Sequence, residues 1–168
     1  SDAFVAKTRD LKVGDPIDPD TQMGPVAVDR RIPALADLVE DAVERGAKVA
    51  TGGGQLQRPG YYFAPTVLRD TPQEAKIFQT EPFGPIAVLT PVRDIEEALE
   101  RANSTPYGLA GYGFTHRADR VDRLIDGLEV GNLSVNTLEA SLPETPFGGV
   151  KHSGYGREGG AEGLHHYV

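Results

Sequence analysis

The 168-residue chain has no cysteine, so it can form neither a disulfide framework nor a thiolate metal site. It has no basic excess either: 17 lysines and arginines face 25 aspartates and glutamates, for a formal net charge of −8. With no surplus cation to displace counterions, nucleic acid and an anionic membrane are disfavoured as partners, although a local cationic site remains compatible with this balance. No apolar run approaches the roughly 20 residues of a spanning helix, and no signal peptide opens the sequence. A cytoplasmic location is the expectation, with a leader upstream of Ser1 still compatible with a longer parent. Histidines are few, and His116, His152, His165 and His166 lack metal-ligand spacing with an acid or another histidine on one helical face. No metal site is expected. There is no internal repeat and no low-complexity segment.

What is present is the material of one soluble domain spanning residues 1–168. Phe4, Val5 and Leu11 among charges suggest the end of a helix over Ser1 to Lys12, broken by Gly14 and the Asp15-Pro16 and Asp18-Pro19 pairs. Ile32, Leu35, Val39 and Val43 recur at helical spacing between Asp29 and Arg45, and Gly46 supplies a stop. Lys48–Thr51 reads as a short strand. Tyr61–Leu68 is aromatic and β-branched, but Pro65 inside it implies an edge or irregular strand. A short helix follows over Glu74–Phe78.

From Ile86 the pattern turns regular. Ile86–Leu89 is a strand of buried type. Asp94 caps a helix to Ala102 with Glu97 at capping-box spacing. Leu109–Phe114 is a strand, Ala118–Gly127 a helix and Gly131–Asn136 a strand, with a last helix from Gly159 to His166. Alternating strands and helices with short links predict an α/β fold with an open, mostly parallel sheet flanked by helices.

Thr80-Glu81-Pro82-Phe83-Gly84-Pro85 puts a ring between residues that stiffen or sharpen a turn, with a carboxylate two residues earlier. A carboxylate accepts hydrogen bonds from a diol and a ring offers a flat apolar wall, a combination suited to a nucleoside. The alternative is a loop pinned by two prolines with Phe83 in the core. Pro146-Phe147-Gly148-Gly149 repeats the ring-and-glycine design. Two glycine-rich stretches are poorer candidates. Gly52-Gly53-Gly54 is followed by a strand pattern and no Lys-Ser/Thr, so a flexible connection is favoured over a phosphate cradle. Gly154-Tyr155-Gly156-Arg157-Glu158-Gly159 matches G-x-G-x-x-G literally, but a polar loop precedes it and no acid lies about 20 residues beyond.

Glu81-Pro82-Phe83-Gly84-Pro85 resembles the E-x-F-G-P signature of the NAD(P)-dependent aldehyde dehydrogenase superfamily. The resemblance continues in family order through Met23-Gly24-Pro25, Gly46-Ala47-Lys48, Ala64–Leu68, Tyr107–Ala110, Gly131–Asn136, Pro146–Lys151 and Gly156-Arg157-Glu158, from about Val13 to Tyr167. It implies an aldehyde dehydrogenase catalytic-domain fold, of which this chain is the C-terminal portion, with NAD or NADP as cofactor. By resemblance, the Glu81 carboxylate binds the hydroxyls of the nicotinamide ribose and Phe83 lies against the nicotinamide ring. Asn136, Ser141 and Phe147 fall on the substrate side. Position 141 lines the substrate entrance, where many relatives carry an aromatic ring, and a serine there suits an aldehyde with a polar or carboxylate tail. The loop Glu139–Glu144 looks most like the succinate-semialdehyde dehydrogenase branch. The residues alone leave Ser141 open as a turn-capping hydroxyl and Phe147 as core packing. The G-x-G-x-x-G segment becomes a turn into the last helix, with Glu158 at its N-terminus.

The family's chemistry needs a cysteine thiolate that attacks the aldehyde carbon, a thiohemiacetal that gives up hydride, and a glutamate that activates water. This chain has no cysteine, so no catalytic residue is assigned within it. By resemblance the nucleophile and the general base lie upstream of Ser1, and the strand used for subunit pairing follows Val168. The expectation is part of an oxidoreductase that is inactive alone, with a small-molecule aldehyde as partner and a homo-oligomeric parent. The alternative is a naturally short, non-catalytic binding or assembly module of the same fold.

Overall fold

The computed structural model of the chain describes residues 1–168, the side chain of His166 excepted. The described residues fall into two compact units, Ser1–Pro91 and Val92–Val168.

The first unit opens with α1 (Asp2–Arg9), which carries an acid in its first turn and Lys7 and Arg9 in its last, as the helix dipole favours. In α2 (Arg31–Glu44), Leu35, Leu38, Val39 and Ala42 are buried. Their spacing places them on one face. Of the stripe expected from the sequence, Val43 is instead 44% exposed. The buried arc is rotated toward Leu38 and Ala42. Pro33 costs α2 no intrahelical bond, because the first four N–H groups of a helix have no partner in any case. The helix stops at Gly46, whose φ of 108° lies in the left-handed region.

A three-stranded sheet packs on this helix: β1 (Lys48–Thr51), β2 (Thr66–Arg69) and β3 (Ile86–Leu89), in that spatial order. β2 runs antiparallel to β1 and parallel to β3. The proline-containing segment is therefore not an edge strand. The strand begins only after Pro65, so the missing N–H falls outside the ladder, and Val67 and Leu68 are fully buried at its centre. Gly52, at φ 72°, has its would-be Cβ 2.3 Å from the Pro65 carbonyl oxygen, and Gly53 N–H donates to Thr66 Oγ1 at 2.9 Å. The glycine-rich connection is docked on β2 rather than free. Leu35, Leu38, Phe63, Leu68 and Ile77 form the centre of the core. Asp41 is buried on α2 and accepts from the Lys76 N–H at 2.8 Å and from Arg45 Nε at 3.0 Å. These bonds, the backbone one first, hold its carboxyl below the usual range. They also fasten a short 3₁₀ turn, Lys76–Phe78, to the helix.

The second unit contains α3 (Ile95–Asn103), β4 (Tyr107–Gly108), β5 (Ala110–Gly113), α4 (Ala118–Gly127), β6 (Asn132–Val135) and β7 (Val150–Lys151). Asp94 caps α3 by accepting from Glu97 N–H at 2.9 Å. Glu97 does not close the reciprocal bond of a capping box. Its carboxylate accepts from Arg93 N–H at 3.0 Å and pairs with Arg93 and Arg101, each at 2.8 Å. β5–α4–β6 is a parallel crossover unit, in register from Ala110↔Asn132 to Gly113↔Val135. β4 and β7 pair antiparallel. The class is thus α/β, with parallel sheet pieces and helices. The alternating run from Ile86 is shared between two of these pieces, because β3 pairs with β2 while β5 pairs with β6. The expected last helix is a 3₁₀ turn over Glu162–His166.

Candidate functional site

Residues 81–85 leave the 3₁₀ turn and enter β3. Their far end is fixed by the sheet, where Thr66 N–H donates to Pro85 O at 2.8 Å, and by a tight turn from Ile86 N–H to Gly84 O, also 2.8 Å. The middle of the loop rests on α2. The would-be Cβ of Gly84 lies 2.6 Å from both methyls of Leu35, a fully buried residue, so only glycine lets the loop come this close. Arg31 Nη2 donates to the Pro82 carbonyl, and the guanidinium carbon lies 6.0 Å from the Phe83 ring centroid.

Phe83 takes a φ of 41°. A bulky residue in the left-handed region costs about 1–3 kcal/mol and persists only where neighbours impose it. The residue is 70% exposed. The reading that places Phe83 in the core does not hold. Glu81 is exposed, and among the described residues nothing hydrogen-bonds or pairs with its carboxylate. Phe83 and Gly84 line a groove of about 690 Å³ together with Gly24, Val26, Val28 and Arg31. A carboxylate with all its lone pairs available can accept two hydroxyls of a diol, and the adjacent ring offers a face to a planar heterocycle.

The other three residues singled out from the sequence belong to the second unit. Asn136 follows β6 with φ 58°. Its Oδ1 accepts from Thr115 N–H at 2.9 Å and its Nδ2 donates to Thr115 O at 3.0 Å. One lone pair and one N–H of the amide remain for another partner. Ser141 is exposed in the loop between β6 and Pro146. That loop is tied back by Ser134 Oγ, which donates to Glu139 O at 2.9 Å. Phe147 is half-buried and exchanges two backbone bonds with Glu158, at 2.7 and 2.8 Å. It lines a hollow of about 780 Å³ together with Leu109, Arg157 and Leu164. Glu158 lies in this bridge, four residues ahead of the 3₁₀ turn, rather than at a helix N-terminus.

Two residues that position these loops carried no functional signal in the sequence reading. One is Arg31. The other is Asn132, which the Gly131–Asn136 motif marks only as part of a strand. Its Nδ2 donates to Pro146 O and its Oδ1 accepts from Gly148 N–H, both at 3.0 Å. The strand pattern gives no hint of this, because it depends on a segment 14 residues further on. Among the described residues, no group of three or more His, Cys, Asp or Glu is placed to hold a metal ion, and no helix is long and apolar enough to cross a membrane.

Comparison with known proteins gives one consistent result. The model of the aldehyde dehydrogenase family matches residues 1–168. A 4-(hydroxymethyl)benzenesulfonate dehydrogenase of Comamonas testosteroni is 46% identical over 167 residues, which is 99% of this chain and 34% of that protein. A succinate-semialdehyde dehydrogenase [NADP(+)] of Mycobacterium tuberculosis is 42% identical over 166 residues, 99% of this chain and 36% of its own length. Among solved structures, a betaine aldehyde dehydrogenase variant of Staphylococcus aureus in complex with NAD+ superposes with a TM-score of 0.93 at 33% identity, covering 99% of this chain and 34% of that one. The chain thus spans about a third of the length of the curated relatives it matches.

Proposed function

The chain belongs to the aldehyde dehydrogenase family, and from that membership we propose that it is the C-terminal portion of the catalytic domain of an enzyme that oxidises an aldehyde to its carboxylic acid. The substrate is a semialdehyde such as succinate semialdehyde. In the overall reaction, aldehyde, water and NAD(P)+ give acid, NAD(P)H and a proton. When bound, NAD(P)+ would supply the acceptor for the hydride of the aldehyde carbon.

The residues of this chain bind and orient. Glu81 would accept hydrogen bonds from the two ribose hydroxyls of a bound cofactor, and Phe83 would offer its face to the nicotinamide ring. Asn136, Ser141 and Phe147 line the substrate side. Ser141 offers a hydroxyl to a polar or carboxylate tail, and the remaining N–H of Asn136 is available as a donor. The chain contains no cysteine to act as nucleophile, so on this reading its 168 residues alone turn over no aldehyde. The parent is a homo-oligomer located in the cytoplasm.

The observation that carries the reading is the pairing on one short loop of an exposed carboxylate, unpartnered among the described residues, with a phenylalanine that is 70% exposed at a φ of 41°. A solvated turn needs neither the exposed ring nor the backbone cost. The test is Glu81→Gln in an active enzyme carrying this segment. A raised cofactor KM or a lowered turnover is expected; unchanged kinetics toward both cofactor and aldehyde would refute the assignment. A second reading compatible with the zero cysteine count is a naturally short, non-catalytic binding or assembly module of the same fold. The intact mass of the source protein separates the two.

A further inference from the structure

We propose that Arg31 is a positioning residue that sets the turn presenting Glu81 and Phe83. This rests on the cofactor role given to those two residues above. Arg31 and Leu35 lie one helical turn apart on α2, so their side chains share a face. They meet the loop on either side of Phe83, Arg31 at the Pro82 carbonyl and Leu35 beneath Gly84. Phe83 is therefore held between two attachments to one rigid helix. The helix is anchored by the core around Leu35, which is 0% exposed.

The backbone at Phe83 is the part of the loop that would relax if released, because its φ of 41° is unfavourable for a bulky side chain. A charged donor on the preceding carbonyl is among the stronger hydrogen bonds available to oppose that relaxation. The guanidinium also lies 6.0 Å from the ring centroid, within reach of a cation–π contact that favours one ring position. Arg31 Nε is buried and, among the described residues, has no partner. Lysine could supply a charge but not a planar group that bonds the carbonyl and faces the ring together.

The chain has no tryptophan, so Phe83→Trp places a single indole reporter on the loop. Anisotropy and acrylamide quenching of this variant are compared with those of the same variant carrying Arg31→Gln or Arg31→Lys. Urea midpoints by circular dichroism check that the fold is kept. Lower anisotropy and a higher quenching constant are expected with Arg31→Gln, and a smaller change with Arg31→Lys. Identical values in folded proteins would overturn the proposal. The second measurement uses an active enzyme carrying this segment. Arg31→Gln is expected to raise the NAD(P) KM by about threefold to tenfold, the equivalent of one lost hydrogen bond, while kcat at saturating cofactor changes less. If Arg31→Gln does not fold, Arg31→Lys provides the same comparison. Glu81→Gln is the reference. If it has no effect, the cofactor reading fails; if it has its effect and Arg31→Gln has none, the proposal for Arg31 fails alone.

Discussion

Asn132 brackets Phe147: its side-chain amide bonds the carbonyl of the residue before the ring and the N–H of the residue after it, both at 3.0 Å. With the two backbone bonds to Glu158, the ring-bearing residue has its backbone fixed on both sides. Asparagine suits this role because one amide carries a donor and an acceptor in a plane, matching the peptide groups it bridges. The same device recurs where Asn136 bonds both backbone groups of Thr115, and where Asn103 accepts from Glu129 N–H and donates to Gly127 O.

Replacing Asn132 with Ala removes both bonds and leaves two half-buried backbone groups to find water. The expected loss is about 1–3 kcal/mol, read as a lower urea midpoint with an unchanged slope. Asn132→Asp keeps the bond from Gly148 but turns a carboxylate oxygen toward the Pro146 carbonyl. It should be at least as destabilised at neutral pH. Wild-type stability in both variants would show that the bracket contributes nothing.

Gly131 precedes that clamp, and its would-be Cβ lies 1.7 Å from the Gly148 carbonyl oxygen. The obstacle is backbone, which cannot swing aside as a side-chain end can. Gly131→Ala should therefore cost more than about 3 kcal/mol or prevent folding of this region, the outcome of overpacking at its severe end. Gly54→Ala is the control, since nothing lies within 4 Å of its added methyl. A stabilisation of about 0.4–1 kcal/mol is expected there from the reduced freedom of the unfolded chain. Equal behaviour of the two variants would contradict the geometry.

The helices were the most legible part of the sequence. The periods of 32–43 and 118–127 and the Asp94 cap depend only on neighbours in the chain, and α2, α3 and α4 follow them closely. What was misread depends on distant partners. Pro65 signals an edge or irregular strand by itself, yet β2 is central because β1 and β3 arrive on both sides of it, with its pairing to β1 shifted in register between Val49 and Thr51. Val43 fits a helical stripe, but the direction of the core is set by the sheet and the Lys76–Phe78 turn. At the candidate site, Glu81 and Phe83 stood out because the turn residues around them are local. Arg31 and Asn132 could not stand out, since each is defined by a carbonyl that folding brings to it from 51 and 14 residues away.

Glu97 predicts a specific acid sensitivity. Hydrogen bonds from Arg93 N–H first, then from the Arg93 and Arg101 side chains, lower its pKa from 4.5 to about 2. The folded-state value lies below the unfolded one, so the stabilisation is fully present above pH 4.5 and is lost as the pH falls toward 2. Glu97→Gln should be less stable than wild type at neutral pH, and the gap should narrow as the pH falls through that window. Other lowered carboxyls, such as Asp41 and Asp119, titrate nearby, so the difference between the two proteins is the quantity to measure. A gap constant from pH 6 to the acid limit of folding would rule out Glu97 as a source of the acid sensitivity.

Ser141 bears on which aldehyde the parent enzyme takes. It is exposed on the loop leaving Asn136, and on the proposed reading its hydroxyl faces the tail of the substrate. A hydroxyl that donates to a charged carboxylate contributes about 1.5–3 kcal/mol, so Ser141→Ala should lower kcat/KM for succinate semialdehyde by about 10-fold to 100-fold. Ser141→Phe removes the donor and adds an apolar wall. It should lower that value further while raising kcat/KM for hexanal or benzaldehyde, because an apolar pocket rewards each added methylene with only a modest factor. The measurement is a panel of aldehydes of equal length with and without a terminal carboxylate, assayed with the active enzyme and both variants. A wild-type preference for long apolar aldehydes would remove succinate semialdehyde and its analogues as the substrate class. A carboxylate preference that survives both substitutions would place the tail against a residue other than Ser141.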